Sequence, residues 1–242
     1  MSEFVFRHFT VIQEQSAMKI GTDSVLLGCL CDVKKVSSVL DIGSGTGILA
    51  LMLAQRCHAN IDAVEMDEPA AREAGQNFRN SPWSERLNLY HQSIQQFAEE
   101  KQGQYDLIIS NPPYYKAGNN LQIEDEQRSK ARHDKGLPFE ELISSVLKLL
   151  QPTGSFWLIL PVNEAADFKG LVKDELHLVK QINLVPKPGK AANRLVMQFT
   201  YEEQQLVEED FTVYNADNTP SERYKQAARD FYTGAQFKPD NV

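Results

Sequence analysis

Short apolar runs alternate along the chain with longer segments in which apolar residues recur at helical spacing. The short runs predict β-strands over residues 38–42, 60–65, 87–91, 106–110 and 156–160, with two more near 178–185 and 195–201. The longer segments predict helices over residues 48–57, 68–79 and 139–150. Strands that alternate with helices usually form parallel sheets, so the pattern predicts an α/β fold with a mostly parallel sheet flanked by helices.

Two regions depart from this alternation. Residues 112–137 form a long polar stretch directly after the fourth predicted strand, and long loops within compact domains commonly carry function. The tail after residue 201 is acidic at first, and it then predicts a short strand over 211–214 and a short helix over 221–232. Pro220 and Ser221 are typical residues at the start of a helix.

Length and composition favour one full-size domain. The 242 residues are 42 % apolar and 24 % charged, which excludes a disordered chain and a disulfide-stapled mini-protein. No run of about 18 uncharged apolar residues predicts a membrane helix, and the N-terminus lacks the features of a secretory signal. The three cysteines lack a paired spacing, which favours reduced thiols and no metal site. We therefore expect a cytoplasmic protein.

A glycine-rich segment follows the first predicted core strand. Asp41 lies near the end of that strand, and Gly43, Gly45 and Gly47 follow at alternate positions. Glycine permits a sharp turn and a close approach of a ligand to the backbone. The dinucleotide-binding fingerprint has its third glycine three residues after the second, so this spacing departs from it. The order resembles motif I of class I S-adenosylmethionine-dependent methyltransferases; the alternative is a tight turn without a ligand.

The ends of the next two strands carry candidate cofactor contacts. Glu65 ends the second strand, where an acid can accept hydrogen bonds from both hydroxyls of an adenosine ribose. Ser93 and Ile94 follow the third strand, where the adenine of S-adenosyl-L-methionine is expected to lie. Many relatives of this fold have Asp at the position of Ser93. A serine hydroxyl also accepts a hydrogen bond, but Ser93 equally suits a polar helix cap.

The fourth predicted strand is followed by the sequence Asn111-Pro112-Pro113-Tyr114, and Asn111 is also a candidate contact of the cofactor. A planar exocyclic amine or amide nitrogen is a poor nucleophile because its lone pair is delocalised. The Asn111 side-chain oxygen and the Pro112 carbonyl can each accept one of its N–H groups, and the prolines hold both acceptors rigid. Tyr114 offers a flat face for stacking on a base. The motif therefore indicates methylation of a planar nitrogen; the alternative is a proline-rich turn with a core tyrosine.

The N-terminal segment resembles that of the bacterial valine-tRNA adenine N6-methyltransferases, which modify adenine 37. The stretch from Ala17 to Gly28 is the most specific match, and further matches lie at residues 9–13, 41–47, 111–114, 131–133 and 136–142. The resemblance implies a Rossmann-like class I methyltransferase with a seven-stranded sheet of mixed direction and S-adenosyl-L-methionine at the strand ends. It also implies that Lys19, Thr22 and Asp23 approach the cofactor or the reaction cleft. A helix capped by Thr22 is the alternative at that position.

The resemblance extends over nearly the whole chain, so we expect residues 1–242 to form a single methyltransferase domain. In it, residues 1–36 form an N-terminal cap, residues 37–201 the cofactor-binding catalytic core, and residues 202–242 a C-terminal extension. The implied partner is tRNA, with a valine isoacceptor favoured. We expect no membrane, no metal and no obligate protein partner.

Cationic residues cluster in the long loop after the Asn-Pro-Pro-Tyr motif. The candidates for RNA contacts there are Lys116, Arg128, Lys130, Arg132 and His133. A second cationic group at Lys187, Lys190 and Arg194 lies in another predicted loop. Such side chains would neutralise RNA phosphates, although a net charge of −8 weighs against binding by the whole surface. The alternative is a solvated charged loop.

Three other functions share parts of this pattern. Release-factor glutamine methyltransferases use Asn-Pro-Pro-Tyr on an amide nitrogen, but they carry a substantial helical domain before the glycine loop, and only 40 residues precede Asp41 here. Methylation of DNA adenine or of ribosomal RNA is a weaker rival, because the motif does not identify its polymer. An inactive cofactor- or RNA-binding module would not need the intact Asn111, Asp41 and Glu65. Adenine N6-methylation of tRNA is therefore the favoured function.

Overall fold

A computed structural model describes residues 3–16, 19–112, 137–234 and 237 of the chain. Its strands are β1 (Glu3–Val5), β2 (Thr10–Ile12), β3 (Ser38–Ile42), β4 (Asn60–Glu65), β5 (Leu87–His91), β6 (Tyr105–Ser110), β7 (Leu150–Pro161), β8 (His177–Val185), β9 (Arg194–Thr200) and β10 (Val207–Thr212). Its helices are α1 (Thr22–Leu30), α2 (Ile48–Arg56), α3 (Glu68–Arg79), α4 (Ile94–Glu100), α5 (Phe139–Leu149), α6 (Val162–Val172) and α7 (Glu222–Ala228). The α/β class predicted from the alternating pattern is confirmed.

The central sheet has the strand order β10-β8-β9-β7-β6-β3-β4-β5. Every neighbouring pair is parallel except the two that involve β9, which runs against both β7 and β8. From β3 the chain first extends the sheet through β4 to β5. It then returns to the other side of β3 with β6 and continues towards β10. In open sheets of this kind, ligands bind beyond the carboxyl ends of the strands at such a reversal.

The sheet contains eight strands rather than the seven implied by the family resemblance. The additional strand is β10, which pairs in parallel with β8 from Val207 opposite Lys180 to Thr212 opposite Val185. The tail strand predicted over 211–214 thus begins earlier, because its acidic residues pair their backbone with β8 at the edge of the sheet. The last helix ends at Ala228 and not at 232, and the predicted start is confirmed, since Ser221 accepts a hydrogen bond from the Tyr224 N–H at 3.1 Å.

Apolar residues cover both faces of the sheet. Successive side chains of a strand point to opposite faces, so Val39 joins one buried cluster and Leu40 joins the other. Residues of α1, α2, α3 and α7 belong to the first cluster, and residues of α4, α5 and α6 belong to the second. The strand ends are therefore held on a rigid, two-sided core. None of the described helices is long and apolar enough to cross a membrane.

The hairpin of β1 and β2, which the apolar pattern did not predict, packs against the end of the chain. Phe6 stacks on Phe9 and on Tyr232, with ring centroids 4.7 and 5.7 Å apart. The Arg7 N–H donates to the Phe231 carbonyl at 2.7 Å. The first and last described segments thus cover the same side of the core.

Candidate active site

The glycine loop and the Asn111–Pro112 corner leave the sheet side by side. β3 and β6 are hydrogen-bonded neighbours, with Ile42 opposite Ser110, and the Ser110 hydroxyl donates to the Ile42 carbonyl at 2.9 Å. The next residues of the two strands are Gly43 and Asn111. The sheet register therefore brings the two motifs to the same edge of the sheet.

All three glycines of the loop have left-handed backbone conformations, with φ of +69° at Gly43, +55° at Gly45 and +80° at Gly47. Their surroundings differ. A Cβ built on Gly43 or Gly45 would meet no heavy atom of the described residues within 4 Å. A Cβ on Gly47 would lie 2.4 Å from Cε1 of Phe78. The first two glycines therefore border open space, whereas the third is required by packing against α3.

Glu65, at the end of β4, fixes the shape of the glycine loop. Its Oε2 accepts a hydrogen bond from the Gly45 N–H at 2.8 Å, and its Oε1 accepts one from the Asp67 N–H at 2.8 Å. An ionised carboxylate can accept about four hydrogen bonds. Each oxygen therefore retains an acceptor position that could receive the hydroxyl of a ribose.

Asp41 lies beneath the loop as a fully buried carboxyl group. Its Oδ2 accepts a hydrogen bond from the Ala50 N–H at 3.2 Å, and its Oδ1 has no partner among the described residues. Burial raises the pKa of Asp41 to about 7, against the lowering effect of the Ala50 N–H, and the negative charge of Glu65 adds to the rise. The site thus holds a buried acceptor that a donor or cation from a ligand would stabilise.

The Asn111 carboxamide is held from one end. Its Nδ2 donates to Oγ of Ser24 at 2.8 Å, while its Oδ1 is buried without a partner among the described residues. Pro112 is buried. Pro113 and Tyr114 lie outside the described residues. The arrangement leaves an acceptor oxygen beside the glycine loop, and this is the group that an N–H of a planar amine would need.

Sequence reasoning did not identify Ser24 as part of this site. It follows Asp23 in the family-specific stretch, and its place in the first turn of α1 brings it to the end of β6, 87 positions away in sequence. That position within the matching stretch was the one available signal.

The predicted N-terminal contacts form a connected structure around α1. Nζ of Lys19 donates to the carbonyls of Gln13 and Glu14, and Oδ2 of Asp23 accepts from Nε of Arg194 at 2.9 Å. Thr22 is the first residue of α1, not its cap; the cap position is Gly21, which has no side chain to supply a hydrogen bond. The central residues of this helix, from Val25 to Leu27, are buried. A role of these polar residues towards the cofactor stays a prediction.

Two buried polar residues of α3, absent from the sequence prediction, join the N-terminal segment to the glycine loop. Asn77 exchanges hydrogen bonds with the backbone of Ile12 and donates to the Thr46 carbonyl at 2.9 Å. Glu73 accepts from the N–H groups of Glu14, Gln15 and Ser16 and from the Ser16 hydroxyl. The segment before α1 is thereby anchored to the helix that also packs against Gly47.

We expect the Glu73 contacts to contribute a pH-dependent part of the stability. Burial alone would raise the pKa of Glu73, but hydrogen bonds from Ser16 and the neighbouring N–H groups outweigh it and hold the pKa below its ordinary value of 4.5. A group with a lowered pKa in the folded state stabilises the fold above its unfolded pKa, and this contribution disappears as the pH falls through the folded pKa. Glu73→Gln should therefore lower the unfolding temperature at pH 7 by a margin that shrinks below pH 4.5.

The matched control for this prediction is Glu68→Gln, an exposed glutamate at the start of the same helix. It should change the unfolding temperature little at any pH, because exposed ion pairs contribute at most about 1 kcal/mol. Thermal unfolding of both variants and the wild type between pH 3 and pH 7 tests the assignment. A deficit of Glu73→Gln that stays constant over this range would contradict it.

Ser93 occupies the cap of α4, which was the alternative interpretation. Its Oγ accepts from the Gln96 N–H and contacts Oε1 of Gln96, each at 3.2 Å. The Ser93 N–H in turn donates to Oε1 of Gln96 at 3.4 Å, which completes a capping box. Ile94 begins α4 and is buried. Contacts of Ser93 and Ile94 with adenine stay predictions.

Met66 directly follows the last residue of β4 and is 61 % exposed. The sequence reasoning did not consider this residue.

The predicted RNA contacts divide between two regions. The first group, Lys116, Arg128, Lys130, Arg132 and His133, lies outside the described residues. Lys187 and Lys190 lie in the loop between β8 and β9, at the carboxyl end of β8. Arg194 is engaged with Asp23 and so joins β9 to α1. Within the described ranges, no group of three or more His, Cys, Asp or Glu residues could hold a metal ion.

The comparisons with known proteins agree with this geometry. The model of the family described as "Methyltransferase small domain" matches residues 14–186. Two curated relatives, both named tRNA1(Val) (adenine(37)-N6)-methyltransferase, come from Flavobacterium johnsoniae and Bacteroides fragilis. The first is 42 % identical, with 95 % of this chain and 98 % of the relative covered. The second is 38 % identical, with 95 % and 97 % covered.

A solved structure supports the fold. A predicted O-methyltransferase from Agrobacterium tumefaciens superposes with a TM-score of 0.65, at 18 % identity, over 81 % of this chain and 89 % of that one. At this identity the likeness speaks for the shared sheet architecture alone. The family match over residues 14–186 and the relatives covered over nearly their full length show where the chain belongs. It is a member of the methyltransferase small domain family, in the group whose curated members are named tRNA1(Val) (adenine(37)-N6)-methyltransferases.

Proposed function

We propose that this protein transfers a methyl group from S-adenosyl-L-methionine to N6 of adenine 37 in valine tRNA. The observation that carries the proposal is the Asn111 carboxamide, whose Oδ1 is buried without a partner among the described residues and lies next to the glycine loop. A buried acceptor without a partner is costly, and the N–H of an incoming amine would satisfy it. The printed names of the curated relatives support the same substrate and position.

The residues at the strand ends fit the methyl donor. Gly43 and Gly45 border open space, the Glu65 carboxylate retains acceptor positions for ribose hydroxyls, and Asp41 offers a buried acceptor. Met66 presents an exposed apolar side chain beside Glu65, suited to the face of an adenine. Further contacts with the methyl donor are proposed, on the family resemblance, for Gly47, Ser93, Ile94, Lys19, Thr22 and Asp23. When bound, S-adenosyl-L-methionine supplies an electrophilic methyl carbon on a sulfonium centre.

In this reaction the protein has to position the adenine amine and to polarise it. Oδ1 of Asn111 and the Pro112 carbonyl each accept one N–H of the adenine amine, which favours a lone pair directed out of the ring plane. Tyr114 stacks on the base. In the transfer the adenine nitrogen would form a bond to the methyl carbon as the bond from that carbon to sulfur breaks, so that S-adenosyl-L-homocysteine would be the leaving group. The methylated nitrogen would carry a positive charge and would release one proton to water, because a cationic amine of this kind is a strong acid. No residue with a shifted pKa is therefore needed as a base.

The tRNA is held by the cationic loop that follows the motif, through Lys116, Arg128, Lys130, Arg132 and His133. Lys187 and Lys190 add charge at the same edge of the sheet. Contacts of this kind make the affinity fall with rising salt concentration. A tRNA substrate favours a cytoplasmic enzyme, and we propose that it acts without an obligate protein partner. Residues 1–36, 37–201 and 202–242 then serve as the cap, the catalytic core and the extension of one domain.

Nucleoside mass spectrometry tests the proposal directly. The purified protein would be incubated with S-adenosyl-L-methionine carrying a labelled methyl group and, separately, with valine tRNA, the same tRNA with guanine at position 37, release factor and a DNA duplex. We expect N6-methyladenosine in the first tRNA and no label in the second. Label on release factor or on DNA, with none on tRNA, would overturn the substrate assignment.

Glu65→Ala should weaken the binding of S-adenosyl-L-methionine about tenfold, since hydrogen bonds to a charged acceptor contribute about 1.5–3 kcal/mol each and part of this is lost to water. Titration calorimetry measures the affinity, with Glu68→Ala as the control at an exposed glutamate three residues away. Wild-type affinity in Glu65→Ala would mean that the ribose lies elsewhere.

A further inference from the structure

We propose that Ser24 is a positioning residue that holds the Asn111 carboxamide in place, with Oδ1 directed towards the reacting amine. The inference rests on the proposed function, in which Oδ1 of Asn111 is an acceptor for the substrate. In the structure Oγ of Ser24 accepts from Nδ2 of Asn111 at 2.8 Å, which directs Oδ1 away from Ser24.

The orientation matters because the two ends of a carboxamide have opposite roles. The oxygen accepts and the NH₂ group donates, and a rotation by 180° about the last side-chain bond exchanges them. With the NH₂ group turned to the cleft, two donors would face each other at the amine. In the structure the Ser24 hydroxyl accepts from the NH₂ group, which leaves the oxygen for the substrate. A serine hydroxyl can also donate, so Ser24 acts by holding the carboxamide in place beside the cleft and does not select one of its ends alone.

Ser24 is well placed for this role because α1 is held at both ends of its first turn. Asp23 pairs with Arg194 of β9 at 2.9 Å, and the apolar residues Val25 and Leu26, each 1 % exposed, pack into the core. The Ser24 hydroxyl is therefore carried by a fixed element and meets Asn111 at the end of β6. A flexible side chain on a loop would not restrain the amide in this way.

Ser24→Ala tests the inference by removing the acceptor. We expect kcat to fall about tenfold, the typical consequence of losing one well-placed hydrogen bond, while the dissociation constant of S-adenosyl-L-methionine and the unfolding temperature change little. Ser24→Thr keeps the hydroxyl and should restore most of kcat. Ser145→Ala, which removes a buried serine hydroxyl of α5 that bonds to Glu141, is the matched control and should leave kcat unchanged.

A double-mutant cycle separates orientation from a general structural effect. In Asn111→Ala the side chain that Ser24 holds is absent. Ser24→Ala should then change kcat by less than about twofold in the Asn111→Ala background. The inference would be overturned by a wild-type kcat in Ser24→Ala, or by an equal loss of kcat in both backgrounds.

A second measurement does not depend on any substrate. Hydrogen exchange of the Asn111 side-chain NH₂, followed by NMR, should be slow in the wild type and faster in Ser24→Ala. Equal exchange in both proteins would overturn the role of Ser24. If wild-type protein methylates no tRNA but the exchange rates differ as expected, the proposed function fails and the Ser24 contact stands. The exchange measurement also decides the question if Asn111→Ala turns over too slowly for the cycle.

Discussion

Asn111→Ala is expected to lower kcat by about 10²–10³-fold, the loss typical of removing one group aimed at the charge that changes in the transition state. The affinity for S-adenosyl-L-methionine should change far less. Oδ1 of Asn111 is buried and has no partner among the described residues. Its removal therefore takes a hydrogen-bond acceptor away from the substrate amine, while the hydrogen bond from Gly45 to Glu65 in the glycine loop stays intact. Single-turnover rates with valine tRNA and calorimetry with S-adenosyl-L-methionine separate the two quantities.

Two comparisons sharpen this experiment. Asn111→Asp retains acceptor oxygens and should keep more activity than Asn111→Ala. Asn88→Ala removes an exposed asparagine of β5 that bonds to Asp62, and it should leave kcat unchanged. An Asn111→Ala variant with wild-type turnover would exclude this side chain from the reaction. A loss of cofactor affinity as large as the loss of kcat would assign Asn111 to cofactor binding instead.

The sheet could be predicted from the sequence because parallel strands are buried on both faces. Such strands read as continuous apolar runs bounded by glycine or polar residues, as β3 does with all but its first residue buried. β4 and β5 also begin and end at the predicted residues, although β5 lies at the edge of the sheet and only Leu87 of it is buried. The relative placement of the two motifs follows from the strand order that the family resemblance implies, and not from the apolar pattern. Once β3 and β6 are neighbours in a parallel sheet, Gly43 and Asn111 must lie at the same edge.

Other elements gave weaker signals. The apolar residues of α1 are nearly continuous from Val25 to Leu30, which does not distinguish a short helix from a buried strand. β10 carries three consecutive acidic residues, Glu208 to Asp210, and lies at the sheet edge, where alternation is not enforced by burial. Its acidic side chains pair with polar residues of β8, as in the bonds from Asn183 to Glu208 and Asp210, and such partners are not evident until the two strands are known to be neighbours.

The polar contacts of the site were the hardest to foresee. Ser24, Glu73 and Asn77 act through partners between 31 and 87 positions away in sequence. A single serine or asparagine in a helical segment suits a solvated surface as well as a buried contact. Only the folded chain decides between the two, because it determines which backbone groups are left without water.

Gly47→Ala is expected to destabilise the fold by about 2–4 kcal/mol, as the sum of a left-handed backbone strain and overpacking. The new Cβ would lie 2.4 Å from Cε1 of Phe78, a ring that is 3 % exposed and cannot move away without disturbing the core. Denaturant unfolding measures the loss. Phe78→Leu in the Gly47→Ala background should recover part of it, although Phe78→Leu alone destabilises by opening a cavity.

Gly43→Ala provides the matched comparison within the same loop. Its φ of +69° carries a similar backbone strain, but its Cβ would meet no described heavy atom within 4 Å. We therefore expect a stability loss of about 1–2 kcal/mol, smaller than that of Gly47→Ala, together with a clear loss of affinity for S-adenosyl-L-methionine. Equal destabilisation by the two substitutions would mean that the contact with Phe78 does not matter. Unchanged affinity in Gly43→Ala would mean that the space above this glycine is not where the cofactor binds.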